Sequence, residues 1–280
     1  MRLIRKGKVK DVYDLGNGRV LFHFSDRISA FDVKMNTLIP RKGEVLCKFA
    51  EYWFNILGTR HHMLALEGKD KMIAKSTDII PLECVVRGYF YGSLVERYNN
   101  GQLRSSTLPG NFRPMMAAKL SEPMFDPTTK SDEHDIPITE NEVLSADILS
   151  RQEFDYLKGT SISLYNKMSS VAERAGFIIA DVKFEFGRDQ SNGDILLADS
   201  LGPDEYRLWL SSDYQPGKVQ ESYDKQVLRD WLINTGFKDK IDKLRQKGQK
   251  PDPPAIPAEL VSELTRRYVL AYERITCSKL

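Results

Sequence analysis

The chain has 280 residues with 41 Lys+Arg against 39 Asp+Glu, a net charge of +2 that exerts no strong field on nucleic acid or a membrane surface. At 41% hydrophobic and 29% charged it is too apolar for a disordered chain, and with 18 Gly and 13 Pro it is not collagen-like. No apolar run reaches the ~20 residues that cross a bilayer, and Met1 to Gly7 turns charged too soon for a leader, so a cytoplasmic protein is expected.

Val9, Val12, Tyr13 and Leu15 precede Gly16-Asn17-Gly18, and Val20, Leu21, Phe22 and Phe24 follow, which predicts a β-hairpin around an Asn-Gly turn. Leu46, Phe49, Ala50, Trp53, Phe54 and Leu57 fall on one helical stripe, and Gly58 stops it. Ile79-Ile80 and, after Pro81, Val85-Val86 read as a further strand pair. Residues 99–141 are rich in Asn, Gly, Pro, Ser and Asp and read mostly as a long loop, which in a compact domain is usually functional. Ser150 and Glu153 have capping-box spacing and open a helix through Phe154, Leu157, Ser161, Tyr165, Met168, Ala172 and Ala175 to Gly176. Strands are expected from Phe177 to Gly187 and from Ile195 to Ser200. Ser222-Tyr223-Asp224 begins a short helix that Gly236 stops. Residues 238–257 read as a linker, and Leu260, Leu264, Tyr268, Ala271 and Ile275 as a final helix. Strands and helices mix without βαβ alternation and no internal repeat is found, so the expected class is α+β.

The segment Ile178 to Gly187 carries the most chemistry. Alternation places Ala180, Val182, Phe184 and Phe186 on one face and Asp181, Lys183 and Glu185 on the other. A three-residue loop, Ser191-Asn192-Gly193, would set Glu185 directly opposite Asp199. A two-residue turn would pair Asp199 with Phe186 and bury an acid, which costs several kcal/mol. Facing carboxylates repel unless something positive lies between them. Lys183 as a salt bridge is one answer and a divalent cation is the other, since Mg²⁺ takes one or two protein carboxylates and completes its shell with phosphate and water.

Gly7-Lys8-Val9-Lys10-Asp11 offers two lysines at the first hairpin but is no Walker A loop. Asp26 to Asp32 gathers acids, an Arg and Ser29. Arg87 follows Val85-Val86, Ser93 follows Gly92, and an Arg at a strand exit suits bidentate anion binding. Lys130 to Asp135 lies in the long loop, with His134 a candidate ligand against the commoner outcome of a solvated cluster. His61-His62 reads as surface. Cys47, Cys84 and Cys277 are too few and too scattered for a disulfide framework or a cysteine zinc site, and Cys84 reads as core. Hydrolase, zincin and dinucleotide motifs are absent.

Taken in order, these motifs resemble the SAICAR synthetases, the ATP-dependent ligases of purine biosynthesis. The resemblance spans Gly7 to Tyr13, Asp26 to Asp32, Pro81 to Tyr89, Gly92-Ser93, Lys130 to Asp135 and Asp181 to Gly187. It continues through Pro203-Asp204, Arg207-Leu208-Trp209 and Asp224 to Leu232. It implies an ATP-grasp-like two-lobe α+β architecture of antiparallel sheets with flanking helices. The implied organisation is a nucleotide-binding lobe over 1–83, a larger lobe with the metal and ribotide site over 84–237, and a linker with C-terminal helix over 238–280. The implied substrates are ATP, carboxyaminoimidazole ribotide and L-aspartate, with Mg²⁺ and no nucleic-acid or membrane partner; monomer and homo-oligomer both stay open. By the same resemblance Lys8, Lys10 and Lys75 contact nucleotide, and Glu185 and Asp199 ligate Mg²⁺. Arg87, Ser93 and Arg207 anchor the ribotide phosphate with Asp204 near its sugar, and Lys183 faces the reacting carboxylate. Asp181, Ser29 and Lys130 lie near the substrates. The run Asp199 to Arg207 departs from the family's usual pattern at Ser200, Gly202, Glu205 and Tyr206. Rival readings are a phosphotransferase, which would lack its kinase signatures, and a nucleotide-binding regulatory module.

Overall fold

Two larger antiparallel sheets frame the molecule, which a computed structural model describes over residues 1–110, 112–130 and 136–280. The first sheet opens with β1 (Arg2–Lys6), β2 (Lys10–Gly16) and β3 (Arg19–Phe24). The β2–β3 hairpin forms as expected, with Asn17 and Gly18 both at positive φ in its turn. A small ribbon, β4 (Arg27–Ala30) and β5 (Val33–Leu38), leads to helix α1 (Lys42–Leu57), stopped by Gly58 in the left-handed region. Then β6 (Met63–Leu66) and β7 (Lys71–Lys75) complete the order β1-β2-β3-β7-β6.

The second sheet is built on β8 (Thr77–Tyr89). Here the expected strand pair is one continuous strand, and the expected boundary at 83/84 falls inside it. Pro81 is accommodated because Glu185 pairs with Glu83 while Gly187 pairs with Ile79, so three residues of β8 bulge against one, and a missing ladder N–H does no harm there. After α2 (Ser93–Asn99), the stretch expected to be loop supplies β9 (Lys119–Phe125) and β10 (Thr128–Thr129), both pairing with β8. Pro123 inside β9 and the two-residue length of β10 hid them. Asn111 and the segment Ser131 to Asp135, including the candidate His134, lie outside the described residues.

Helix α3 (Glu140–Ser145) precedes α4 (Arg151–Arg174), where Ser150 and Glu153 form the capping box read from sequence. Helix α4 packs on β8 and on β11 (Phe177–Asp189), and β11 pairs with β12 (Ile195–Ala198) and β13 (Tyr206–Leu210). A bulge against β13 between Ile179 and Asp181 reverses the alternation. Ala180 therefore joins a cluster with Tyr89 and Trp209 and not the main core that holds Val182, Phe184 and Phe186. The chain ends with α5 (Gln226–Asn234), α6 (Phe237–Arg245) and α7 (Ala258–Thr276). Helix α6 occupies the first part of the expected linker, burying Phe237 and Ile241 on a stripe that its many charges obscure in sequence. The main core joins α1, α4 and α7 to both sheets through fully buried Phe49, Trp53, Phe54, Phe184 and Tyr268. Each large apolar side chain so buried contributes roughly 1.5–3 kcal/mol. No helix of the described residues is long and apolar enough to cross a membrane.

Candidate active site

Between the two sheets lies a cleft of about 770 Å³, lined by every residue the sequence singled out for the site: Lys8, Lys10, Ser29, Lys75, Arg87, Ser93, Lys130, Asp181, Lys183, Glu185, Asp199, Asp204 and Arg207. Its floor is the β8–β11 ladder. Asp181 pairs with Arg87, Lys183 with Val85 and Glu185 with Glu83, so one face of two central strands presents alternating charge. The carboxylate directly opposite Glu185 is thus Glu83, which sequence reasoning missed. Lys183 resolves the repulsion, its Nζ 2.6 Å from Glu83 and 3.2 Å from Glu185. Burial opposes the charge on Lys183, yet Glu185 and Glu83 prevail and hold its pKa above the ordinary lysine value. Burial likewise disfavours a charged Glu185, but Lys183, Lys130 and Lys10 hold its carboxyl down at about 2. A signal for Glu83 was present in Glu83-Cys84-Val85-Val86-Arg87, where positions 83 and 87 share a strand face.

The expected facing of Glu185 and Asp199 does not occur. Asp189 and Asp194 close a four-residue loop, and Glu185 pairs with Ala198. Continued regularly, that register would point Asp199 toward the core. Asp199 instead takes a left-handed φ of 62°, which turns it out of the strand into an ion pair with Lys10. Lys10 also reaches Ser200 Oγ at 3.0 Å. The bend is held from behind by His62, expected at the surface but 1% exposed, whose Nε2–H donates to the Asp199 carbonyl at 3.0 Å. Burial and the nearby Lys10 charge push His62 down to about 3, so the ring is neutral.

The lysine-bearing loop is fixed by its own backbone. The Gly7 amide donates to the Lys10 carbonyl at 2.9 Å, and a Cβ at Gly7 would sit 2.5 Å from that oxygen, so only glycine closes the turn. Arg27 grips Asp11 with two nitrogens, at 2.6 and 3.2 Å. Lys8 projects outward to Asp32 at 2.6 Å and Lys75 to Asp189 at 2.7 Å, while burial pushes Lys10 down to about 8. Ser29, on β4, is buried against the cleft wall. Beside these cations the wall is apolar, with Val12, Val20 and Phe22 from β2 and β3.

A second basic group stands at the exit of β8. Buried Arg87 reaches Asp126 at 2.5 Å, Ser93 Oγ at 3.0 Å and Asp181 at 3.5 Å, and Arg207 pairs with Asp181. Ser93 starts α2, and Gly92 before it lies against the Arg207 guanidinium. Asp204 is enclosed: Lys42 Nζ lies at 2.8 Å, Tyr268 Oη donates at 2.8 Å, and Lys225 is 3.8 Å away. Lys42 and Tyr268 come from α1 and α7, and nothing in either helix pattern announces a charged partner. Lys130 pairs with Glu185.

The donors fit a hard divalent cation. Glu185 and Asp199 offer only carboxylate oxygens, each paired with lysine, and among the described residues no sulfur or imidazole side chain joins them as a ligand. Among the described residues no group of three or more His, Cys, Asp or Glu side chains could hold a metal. Two carboxylates are what Mg²⁺ takes from protein when phosphate and water supply the rest. Chemically, then, the cleft offers anion anchors at two places, a lysine between acids on its floor and, among the described residues, no activated Ser or Cys nucleophile. Cys84 is buried, with its thiol pushed up to about 12 by burial.

The family model for SAICAR synthetase matches residues 3–244. A phosphoribosylaminoimidazole-succinocarboxamide synthase from Nitrosopumilus maritimus is 50% identical over 99% of this chain and 98% of its own length. Among solved structures, the SAICAR synthase of Saccharomyces cerevisiae complexed with SAICAR aligns with a TM-score of 0.81 at 31% identity, covering 99% of this chain and 95% of that one. A SAICAR synthetase in complex with ADP aligns with a TM-score of 0.75 at 27% identity, over 100% of this chain and 99% of the other.

Proposed function

This chain belongs to the SAICAR synthetase family, and from that premise we propose how its cleft performs the family's reaction. The reaction joins the carboxylate of carboxyaminoimidazole ribotide to the amine of L-aspartate, with ATP converted to ADP and phosphate. A carboxylate is a poor electrophile, so the γ-phosphoryl group is first transferred to it. The resulting acyl phosphate is then opened by the amine. Phosphoryl transfer asks for positioning and charge neutralisation, not a protein nucleophile.

The observation that carries this reading is the convergence on one cleft of Lys10, Lys183, Glu185 and Asp199 with the separate group Arg87, Ser93 and Arg207. Lys8, Lys10 and Lys75 hold the nucleotide phosphates, with the base against the apolar wall of Val12, Val20 and Phe22. Glu185 and Asp199 are the carboxylates for Mg²⁺, which when bound neutralises phosphate charge. Arg87, Ser93 and Arg207 anchor the ribotide phosphate as point and fork donors. Lys183, held between Glu83 and Glu185, faces the reacting carboxylate, while Asp181 orients both arginines and Lys130 and Ser29 border the substrates. Asp204, locked by Lys42 and Tyr268, is a rigid wall beside the ribose. The first sheet serves as nucleotide lobe and the second as ribotide lobe. Free Cys47, Cys84 and Cys277 support a cytoplasmic location.

A coupled ADP-release assay tests the reading. ADP forms only when ribotide and aspartate are both present. Release independent of aspartate points to a phosphotransferase instead, and nucleotide binding without turnover points to a regulatory module.

A further inference from the structure

The residue after Asp204 carries a carboxylate that the reaction as described leaves unused. The Glu205 amide donates to the Gly202 carbonyl at 2.9 Å, and the Glu205 carbonyl accepts from the Lys183 amide at 2.8 Å. Its backbone is therefore pinned to the strand position that bears Lys183. The side chain lines the cleft, and its Oε2 is buried without a hydrogen-bond partner among the described residues. A buried carboxylate oxygen left unsatisfied is costly and calls for an explanation. The charged and titratable groups around it are Lys10 from β2, Lys183 from β11, Lys225 ahead of α5, Tyr268 from α7, and its chain neighbours Asp204 and Tyr206.

We propose that Glu205 is the proton acceptor for the aspartate amine in the second half of the reaction, an inference that rests on the ligase reading above. Aspartate enters with its amine as an ammonium ion, which has no lone pair to attack with. Its first proton passes to the Glu205 carboxylate. The freed nitrogen forms the C–N bond at the acyl carbon, the carbon–oxygen bond to phosphate breaks, and the second nitrogen proton leaves with the phosphate. Glu205 then returns its proton to solvent as product departs. Burial first, then the adjacent Asp204 carboxylate, push the Glu205 carboxyl up to about 7 against the pull of Lys10, Lys183 and Lys225. A base is most effective when its pKa lies near the working pH.

Hydroxylamine separates this role from a structural one, because it is largely unprotonated at neutral pH and needs no base. Wild-type enzyme with ATP, ribotide and hydroxylamine forms the hydroxamate. Glu205→Gln keeps that reaction within about threefold but loses roughly 100-fold or more of aspartate-dependent kcat, the usual worth of a positioned base. Equal losses with both nucleophiles, or full aspartate turnover in Glu205→Gln, overturn the proposal. No hydroxamate from the wild type overturns the acyl-phosphate reading and this proposal with it. Should the variant fail to fold, by circular dichroism, wild-type pH profiles decide. kcat with saturating aspartate falls on the acid side of neutrality while the hydroxylamine rate does not, and coincident profiles overturn the assignment.

Discussion

Lys42→Met asks how much one enclosed ion pair contributes. Lys42 opens α1, where a cation is unfavourable against the helix dipole, so the helix does not account for it. Its Nζ is 2.8 Å from Asp204, and the two side chains are 0% and 3% exposed. At that distance, with an effective dielectric constant near 20, the attraction is ~6 kcal/mol. Losing it while recovering the desolvation of one ammonium leaves a cost of about 3–5 kcal/mol, as for other buried pairs deprived of a partner. Lys225 at 3.8 Å and the Tyr268 hydroxyl remain to Asp204 and place the variant toward the lower end. That is a large share of the roughly 5–15 kcal/mol a domain possesses. Urea unfolding followed by circular dichroism and by fluorescence of buried Trp53 measures it. Lys42→Met/Asp204→Asn removes both charges and recovers most of the loss, so the double-mutant cycle gives a coupling of about 1.5 kcal/mol or more. A single-variant cost under about 1 kcal/mol, or a double variant that loses the sum of both, refutes the ion-pair account.

Three further outcomes are expected. Asp199→Asn leaves urea stability near wild type but weakens Mg²⁺-dependent ADP binding at least ~10-fold in calorimetry; unchanged Mg²⁺ dependence removes Asp199 from the metal site. His62 stays neutral in the fold down to about 3 but titrates near 6.5 when unfolded. The unfolded state therefore binds the extra proton, and stability falls as pH drops through that window, by up to ~1.4 kcal/mol per pH unit. His62→Gln, which keeps a donor for the Asp199 carbonyl, flattens that slope in urea melts between pH 6 and 4, and an unaltered slope contradicts the assignment. Gly92 has φ 59° and ψ −135°, and a Cβ there would stand 2.6 Å from Arg207 Nη2. Gly92→Ala should thus raise KM for the ribotide about tenfold or more, ~1.4 kcal/mol, with KM for ATP little changed. A KM for ribotide equal to wild type would separate Arg207 from phosphate binding.

Local chemistry was legible along the chain. The Asn17-Gly18 turn, the stripe from Leu46 to Leu57 and the Ser150–Glu153 box each depend on interactions within a few residues, so sequence spacing specifies them. The alternation of Asp181, Lys183 and Glu185 marked the cleft floor for the same reason. What failed depended on partners far away in the chain. Pro81 looked like a break because its bulge exists only against Phe186, and α6 looked like linker because its two buried residues find their core only in three dimensions.

The site divides in the same way. Sequence alone determined which side chains line the cleft, since Lys10, Arg87, Glu185, Asp199 and Arg207 do come together there. Tertiary structure decided how they meet. Glu83, not Asp199, stands across from Glu185, and Asp199 arrives through a left-handed bend held by buried His62. Glu205 is left with an oxygen that no described residue satisfies. Register, backbone handedness and the solvation of a buried charge are set by everything packed around a residue, and no neighbour in the chain records them.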